Sequence, residues 1–167
     1  RDINLKTTTV HQVSEEKIKQ WEGVSSVAQV GNLGIYEINK NKVLPEVTVA
    51  SKAIYVNSVE AGLDTTLNKR INLADTAFIE EKNIQINSES KPNIKIIKNN
   101  SLQTSIKVSE AKEPFFLTYN TMFDRNWEAS IQDKVIAKHV ISNGFANGWS
   151  IDKKGNYEIV IRYTLYN

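Results

Sequence analysis

The residues best suited to holding a polar ligand fall in one short stretch, Phe123-Asp124-Arg125-Asn126, with Asn147 further along. An aromatic face beside Asn, Asp and Arg side chains is a common way to hold a sugar. The C–H face of the sugar ring stacks on the aromatic, and its hydroxyls meet the polar groups. These five residues are expected at exposed turns and are the candidate ligand contacts. Tyr119, Trp127, Phe145 and Trp149 enlarge the aromatic cluster. A competing reading makes both tryptophans core residues on opposing strands. Strand parity favours it, since Trp127 shares a face with Ala129 and Ile131, and Trp149 with Phe145 and Ile151. Asn147 interrupts that second set, and the adjacent Gly148 allows a bulge.

Other chemistries fail on spacing. His11 and His139 are far apart, and neither lies in a zinc-ligand pattern. The sequence holds no cysteine, which removes disulfides and thiolate metal sites. Asp124-Arg125-Asn126-Trp127-Glu128 opens like a calcium loop. Its sixth position, which needs glycine, is Ala129, and its twelfth, which needs glutamate, is Val135. A loop cap is the expected role of Asp124. No nucleophile elbow, phosphate-binding loop, dinucleotide fingerprint or D-x-D pair occurs. Asp124, Glu128 and Asp133 could supply paired carboxylates for glycoside hydrolysis, but nothing in their spacing selects them. No catalytic residue, metal ligand or cofactor is therefore assigned. His139 falls on the face of Val135, Ala137 and Ile141 and is expected as a hydrogen-bonded histidine within or beside the core. Asn99-Asn100-Ser101 has the form of an N-glycosylation acceptor.

The elements that must position these residues are mostly strands. Runs of alternating character are expected at Val27–Val30, Leu33–Asn39, Val47–Ala50, Ala53–Val56, Ala77–Glu80, Asn93–Lys98 and Leu102–Val108. They continue at Phe115–Asn120, Trp127–Ile131, Val135–Ile141, Phe145–Ile151 and Tyr157–Leu165. In the last run Tyr157, Ile159, Ile161, Tyr163 and Leu165 point one way and Glu158, Arg162 and Thr164 the other. Gln132-Asp133-Lys134, Asn143-Gly144 and Asp152-Lys153-Lys154-Gly155-Asn156 are the turns. Two short helices are expected early. One is Ser14–Trp21, capped by Ser14. The other follows Ser58, where Val59, Leu63 and Leu67 recur at helical spacing. Strands spaced by about ten residues with such turns predict a mainly β fold, an antiparallel β-sandwich of jelly-roll or carbohydrate-binding-module type. The expected organisation is a helical lead-in over 1–24 and a β-sandwich domain over 25–167.

Of the 167 residues, 40% are hydrophobic and 24% charged, enough to bury a real core. The 21 basic and 19 acidic residues leave a net charge of +2, too small a field to argue for nucleic acid or an anionic membrane surface. No apolar run approaches the roughly 18 residues that span a bilayer. The polar start, Arg1-Asp2-Ile3-Asn4, has no initiating Met and no signal-peptide pattern. It suggests a segment of something longer.

The stretch Pro114-Phe115-Phe116-Leu117-Thr118-Tyr119-Asn120-Thr121-Met122-Phe123-Asp124-Arg125-Asn126-Trp127-Glu128-Ala129-Ser130-Ile131 carries more than a pattern. It resembles the aliphatic strand, aromatic, short loop, Trp and strand of the C-terminal extracytoplasmic β-rich domain of polytopic membrane glycosyltransferases. These are the YfhO-type bacterial membrane proteins and related GT-C-class enzymes. That family's following turn is D-G-K, whereas here Asp133-Lys134 lacks the glycine. Asn143-Gly144-Phe145-Ala146-Asn147-Gly148-Trp149 is similar to the family's next loop and strand. Gly31-Asn32-Leu33-Gly34-Ile35-Tyr36-Glu37-Ile38, Leu44-Pro45-Glu46-Val47 and Asn72–Glu81 are similar to upstream stretches in the same order. The resemblance covers about residues 20 to 165.

The resemblance implies sugar-transfer chemistry in a membrane-embedded part not contained in this sequence, using a lipid-linked sugar donor. It implies for this chain a non-catalytic accessory domain on the extracytoplasmic face of the cell membrane. Acceptor glycan or lipid-linked oligosaccharide is the expected partner, and nucleic acid is not. No catalytic residue carries over. The alternative is a protein-interaction or cell-surface docking module that uses a sheet edge and binds no carbohydrate.

Overall fold

A computed structural model describes residues 23–31, 33–40, 43–69 and 71–165. The expected helix Ser14–Trp21 and His11 lie outside them. The chain divides into two compact units, Arg1–Val43 and Leu44–Asn167. In the first, β1 (Val24–Val30) and β2 (Leu33–Ile38) form an antiparallel hairpin that is a two-stranded sheet of its own. Gly31, at φ 58°, turns the chain between them.

The second unit opens with β3 (Val47–Ala50), β4 (Lys52–Tyr55), the helix α1 (Val59–Lys69), β5 (Thr76–Ile79) and β6 (Ile86–Asn87). It continues with β7 (Asn93–Asn100), β8 (Gln103–Ala111), β9 (Phe115–Met122), β10 (Trp127–Ile131) and β11 (Lys134–Val135). It closes with β12 (His139–Ser142), β13 (Ala146–Ile151) and β14 (Gly155–Tyr163). A five-stranded sheet has the order β11-β10-β14-β8-β7, and a seven-stranded sheet has the order β3-β9-β13-β12-β5-β4-β6. The expected mainly β sandwich is what the chain forms. Its pairings are antiparallel except β4 with β5, which run parallel and are joined through α1. A parallel pair cannot be closed by a tight turn, so the helical crossover is required.

Alternation builds the shared interior. Ile106 and Val108 of β8, Ala129 of β10, and Ile159 and Ile161 of β14 face Val47 and Val49 of β3, Leu117 of β9, and Trp149 and Ile151 of β13. Burying each large apolar side chain contributes about 1.5–3 kcal/mol relative to leaving it exposed. The first five residues of β9, Phe115 to Tyr119, are all buried because both faces of the strand are covered. Phe115 and Leu117 enter the inter-sheet core. Phe116 turns the other way, into a smaller cluster with Ala50, Ala53, Ala77, Ile79, Ile84 and Ile86.

The helix α1 starts where Ser58 Oγ accepts the Ala61 amide at 3.3 Å. Glu60 sits in its first turn, its carboxyl held below the ordinary range by hydrogen bonds to its own backbone amide and the Ser58 hydroxyl. Of the spaced residues that predicted this helix, the side chains of Leu63 and Leu67 lie outside those described.

Three expectations need correction. The single strand expected over Val135–Ile141 is two: β11 pairs with β10 in the smaller sheet, and β12 pairs with β13 in the larger. The chain changes sheets between them, with Ala137 and Lys138 exposed in passage. Face parity cannot be counted through such a break. Phe145, expected on the buried face with Trp149, is 51% exposed. The turn at Asn143 and Gly144, φ 53° and 80°, resets the register, so pairing resumes only at Ala146. Leu165, expected on the apolar face of the last strand, lies past the end of β14 and is 75% exposed.

Candidate functional site

The loop between β9 and β10 carries Phe123, Asp124, Arg125 and Asn126, and β13 supplies Asn147 beneath it. Pairing of β9 with β13 slips between Ala146 and Asn147, where Asn120 and Thr121 of β9 are left without partners on β13. The slip turns Asn147 under the loop, where it is fully buried. Its Nδ2 donates to the Thr121 and Met122 carbonyl oxygens at 3.0 and 3.2 Å and to the Thr121 hydroxyl at 3.2 Å. Its Oδ1 accepts the Asp124 amide at 3.2 Å. Two carbonyls on one side and an N–H on the other fix which end of the amide is oxygen. His139 Nε2, 3.0 Å from that oxygen, must then carry the ring proton.

Three rings stack outward from the core. Trp149, fully buried, lies parallel to His139, with centroids 4.6 Å apart and planes at 8°. His139 in turn meets half-buried Phe123 at 4.7 Å and 37°. Burial lowers the His139 pKa from its ordinary value, against smaller upward pulls from the Asn147 bond and the Asp124 charge. The expected role of His139, a hydrogen-bonded histidine beside the core, is the one it has. The Trp149 Nε1–H finds no acceptor among the described residues, which costs about 1–3 kcal/mol. Burial of the whole indole offsets this.

The polar loop residues are turned on one another. Asp124 Oδ1 accepts the Asn126 amide at 2.9 Å, the expected loop cap. Its other oxygen accepts the Tyr163 hydroxyl at 3.0 Å, and Asn126 Nδ2 donates to that hydroxyl at 3.1 Å. Tyr163 also packs edge-on against Trp127, with centroids 5.1 Å apart. Trp127 is a core residue, as parity predicts.

The five candidate contacts are thus brought together, but unequally. Asn147 is buried, with its amide committed to the protein, so it positions the loop instead of touching a ligand. Asp124 and Asn126 are half-buried, while Arg125 is exposed and makes no hydrogen bond or ion pair among the described residues. Phe123 is the outermost ring of the ladder. Sequence reasoning missed His139 and Tyr163 as partners of this loop. The only signal for Tyr163 was its place at the end of an apolar face, and its pairing with Trp127 is set by sheet register.

Glu128 and Asp133, the other carboxylates considered for hydrolysis, do not join Asp124. Glu128 lies across from Arg162, and Asp133 occupies the β10–β11 turn at φ 60°. Among the described residues no cluster of three or more His, Cys, Asp or Glu side chains could hold a metal ion. Asn99, in the acceptor sequence, donates its amide to Glu46 at 2.5 Å and accepts the Thr104 hydroxyl at 2.9 Å.

Comparison with protein-family models, curated proteins and solved structures finds no match to the chain. No helix among the described residues is long and apolar enough to cross a membrane.

Proposed function

We propose that this chain is a non-catalytic accessory domain of a membrane-embedded glycosyltransferase or a related polytopic membrane protein. It works on the extracytoplasmic face of the cell membrane and contacts acceptor glycan through Phe123 and Arg125. The ordered resemblance of its segments to that family supports the setting. The observation that carries the glycan contact is the ring ladder ending at Phe123. A stacked aromatic beside an exposed guanidinium is preorganised for a sugar ring, so little loop entropy is lost on binding. Asp124, Asn126 and Asn147 support that ring.

Titration of the chain with cell-envelope oligosaccharides, followed by amide chemical shifts, tests the contact. Shifts should centre on residues 123–126, with Kd in the millimolar range, a free energy of about −4 kcal/mol. Phe123→Ala should abolish them while leaving the β-sheet dichroism unchanged. Absence of shifts with every glycan, or shifts untouched by Phe123→Ala, would remove the reading. The docking alternative through a sheet edge finds less support. β7, an outer strand, is bulged between Ile96 and Lys98 and presents Lys95 and Lys98, features that discourage strand addition.

A further inference from the structure

Four of the large apolar side chains left in solvent sit on loop tips at one pole of the sandwich. Leu102 (53% exposed) belongs to the β7–β8 turn, Met122 (83%) to the end of β9, Phe145 (51%) to the β12–β13 turn and Leu165 (75%) to the exit from β14. Their tips are tied together by backbone hydrogen bonds: Tyr163 N to Leu102 O at 2.8 Å, Thr164 N to Asn126 O at 2.8 Å and Phe123 N to Phe145 O at 2.7 Å. The preceding chain enters the sandwich at this pole too, because Asn120 holds Pro45 O and Glu46 O. At the opposite pole the turns carry Gln132-Asp133-Lys134, Asp152-Lys153-Lys154 and Lys112-Glu113, a charged surface.

We infer that the pole bearing Leu102, Met122, Phe145 and Leu165 seats in the lipid–water interface of a bilayer, with Arg125 on the lipid phosphates. A protein partner needs a contiguous, shape-matched patch. Here the apolar side chains stand on four separate chain segments with polar Asn100, Asn126, Asn143 and Thr164 between them, a pattern that a fluid interface accommodates one spike at a time. Charge fits as well. Arg125 is exposed with no partner among the described residues, whereas Asp124 is turned inward to Tyr163 and Asn126, and Glu46 is bound by Asn99. The net charge of the whole chain would not draw it to a membrane, so the apolar tips must supply the hold. Arg125 serves a glycan or a lipid phosphate but not both at once, and this inference does not rest on glycan binding, which is measured without lipid.

Co-sedimentation of the 167-residue chain with vesicles of phosphatidylcholine, with and without phosphatidylglycerol, tests it. The chain should bind both, more tightly with phosphatidylglycerol. Met122→Ser with Phe145→Ser should weaken binding to both by about a hundredfold, each apolar tip being worth on the order of one decade. Arg125→Gln should erase only the preference for phosphatidylglycerol. Both changes are at exposed sites, and an unaltered thermal transition would show the fold intact. No binding to either vesicle overturns the inference. So does binding that survives loss of the apolar tips, which would mark simple charge adsorption. Self-association in lipid-free buffer, abolished by the same serines, would also overturn it and assign the pole to a second copy of the chain.

Discussion

Asn143-Gly144 and Asn147-Gly148 are the same dipeptide in two opposite surroundings. The first is a turn. Both residues take positive φ, Asn143 Oδ1 accepts the Phe78 amide at 2.9 Å, and Gly144 lies against Val59 of α1. The second runs through the middle of β13 in extended conformation, with both residues buried. Its asparagine serves as an internal hydrogen-bond hub, and its glycine serves for the space a side chain would fill. The comparison teaches that Asn-Gly signals a need for a small residue beside a versatile amide. Whether that need is conformational or steric is set by neighbours distant in the chain.

The difference can be broken most severely at Gly148. A Cβ there would lie 2.6 Å from the Phe116 ring and 3.0 Å from Ser142 Cβ. Phe116 is fully buried and cannot yield, so Gly148→Val should cost about 3 kcal/mol, read as a lowered urea midpoint at unchanged slope. A wild-type midpoint would mean the ring is free to move and the steric account is wrong.

Next comes Asn147→Ala. It leaves the Thr121 and Met122 carbonyls, the Asp124 amide and His139 Nε2 without their shared partner, at about 2–3 kcal/mol. Unlike the glycine change it should also loosen the Phe123 loop. Amide exchange at Asp124 and Arg125 should speed up well before global unfolding. Exchange that stays coupled to global unfolding would deny Asn147 its positioning role.

The smallest effect belongs to the turn. Gly144→Ala meets a left-handed φ of 80° and a Cβ contact of 2.7 Å with Val59 Cγ1, together about 1–2 kcal/mol. Adding Val59→Ala should return the steric share and leave the conformational one, a coupling that a double-mutant cycle in denaturant measures. Simple additivity of the two changes would put the whole cost in the backbone and none in the contact with α1.

Much of the sandwich was legible in the residues themselves. The alternation of Ile159 and Ile161, the parity of Trp127 and Trp149, the helix after Ser58 and the turn at Asn143-Gly144 are local patterns, and local sterics and burial decide them. Phe145 and Leu165 were misread for one reason. Parity assumes that the residue belongs to the strand, whereas Phe145 precedes β13 and Leu165 follows β14. The break between β11 and β12 escaped because Val135–Ile141 is apolar enough for a strand, while the switch of sheets depends on where β10 and β13 lie.

The sequence by itself determined a mainly β chain with its aromatic and polar candidates gathered around residues 119–149. Only the tertiary structure decided which of them face solvent. The deciding bonds join Asn147 to Thr121, Asp124 to Tyr163 and Asn143 to Phe78, residues 26, 39 and 65 positions apart. An amide or carboxylate carries the same chemistry whether bonded inward or free. Which of the two holds depends on what the folded chain brings within 3 Å or so of it, and local spacing does not encode that distance.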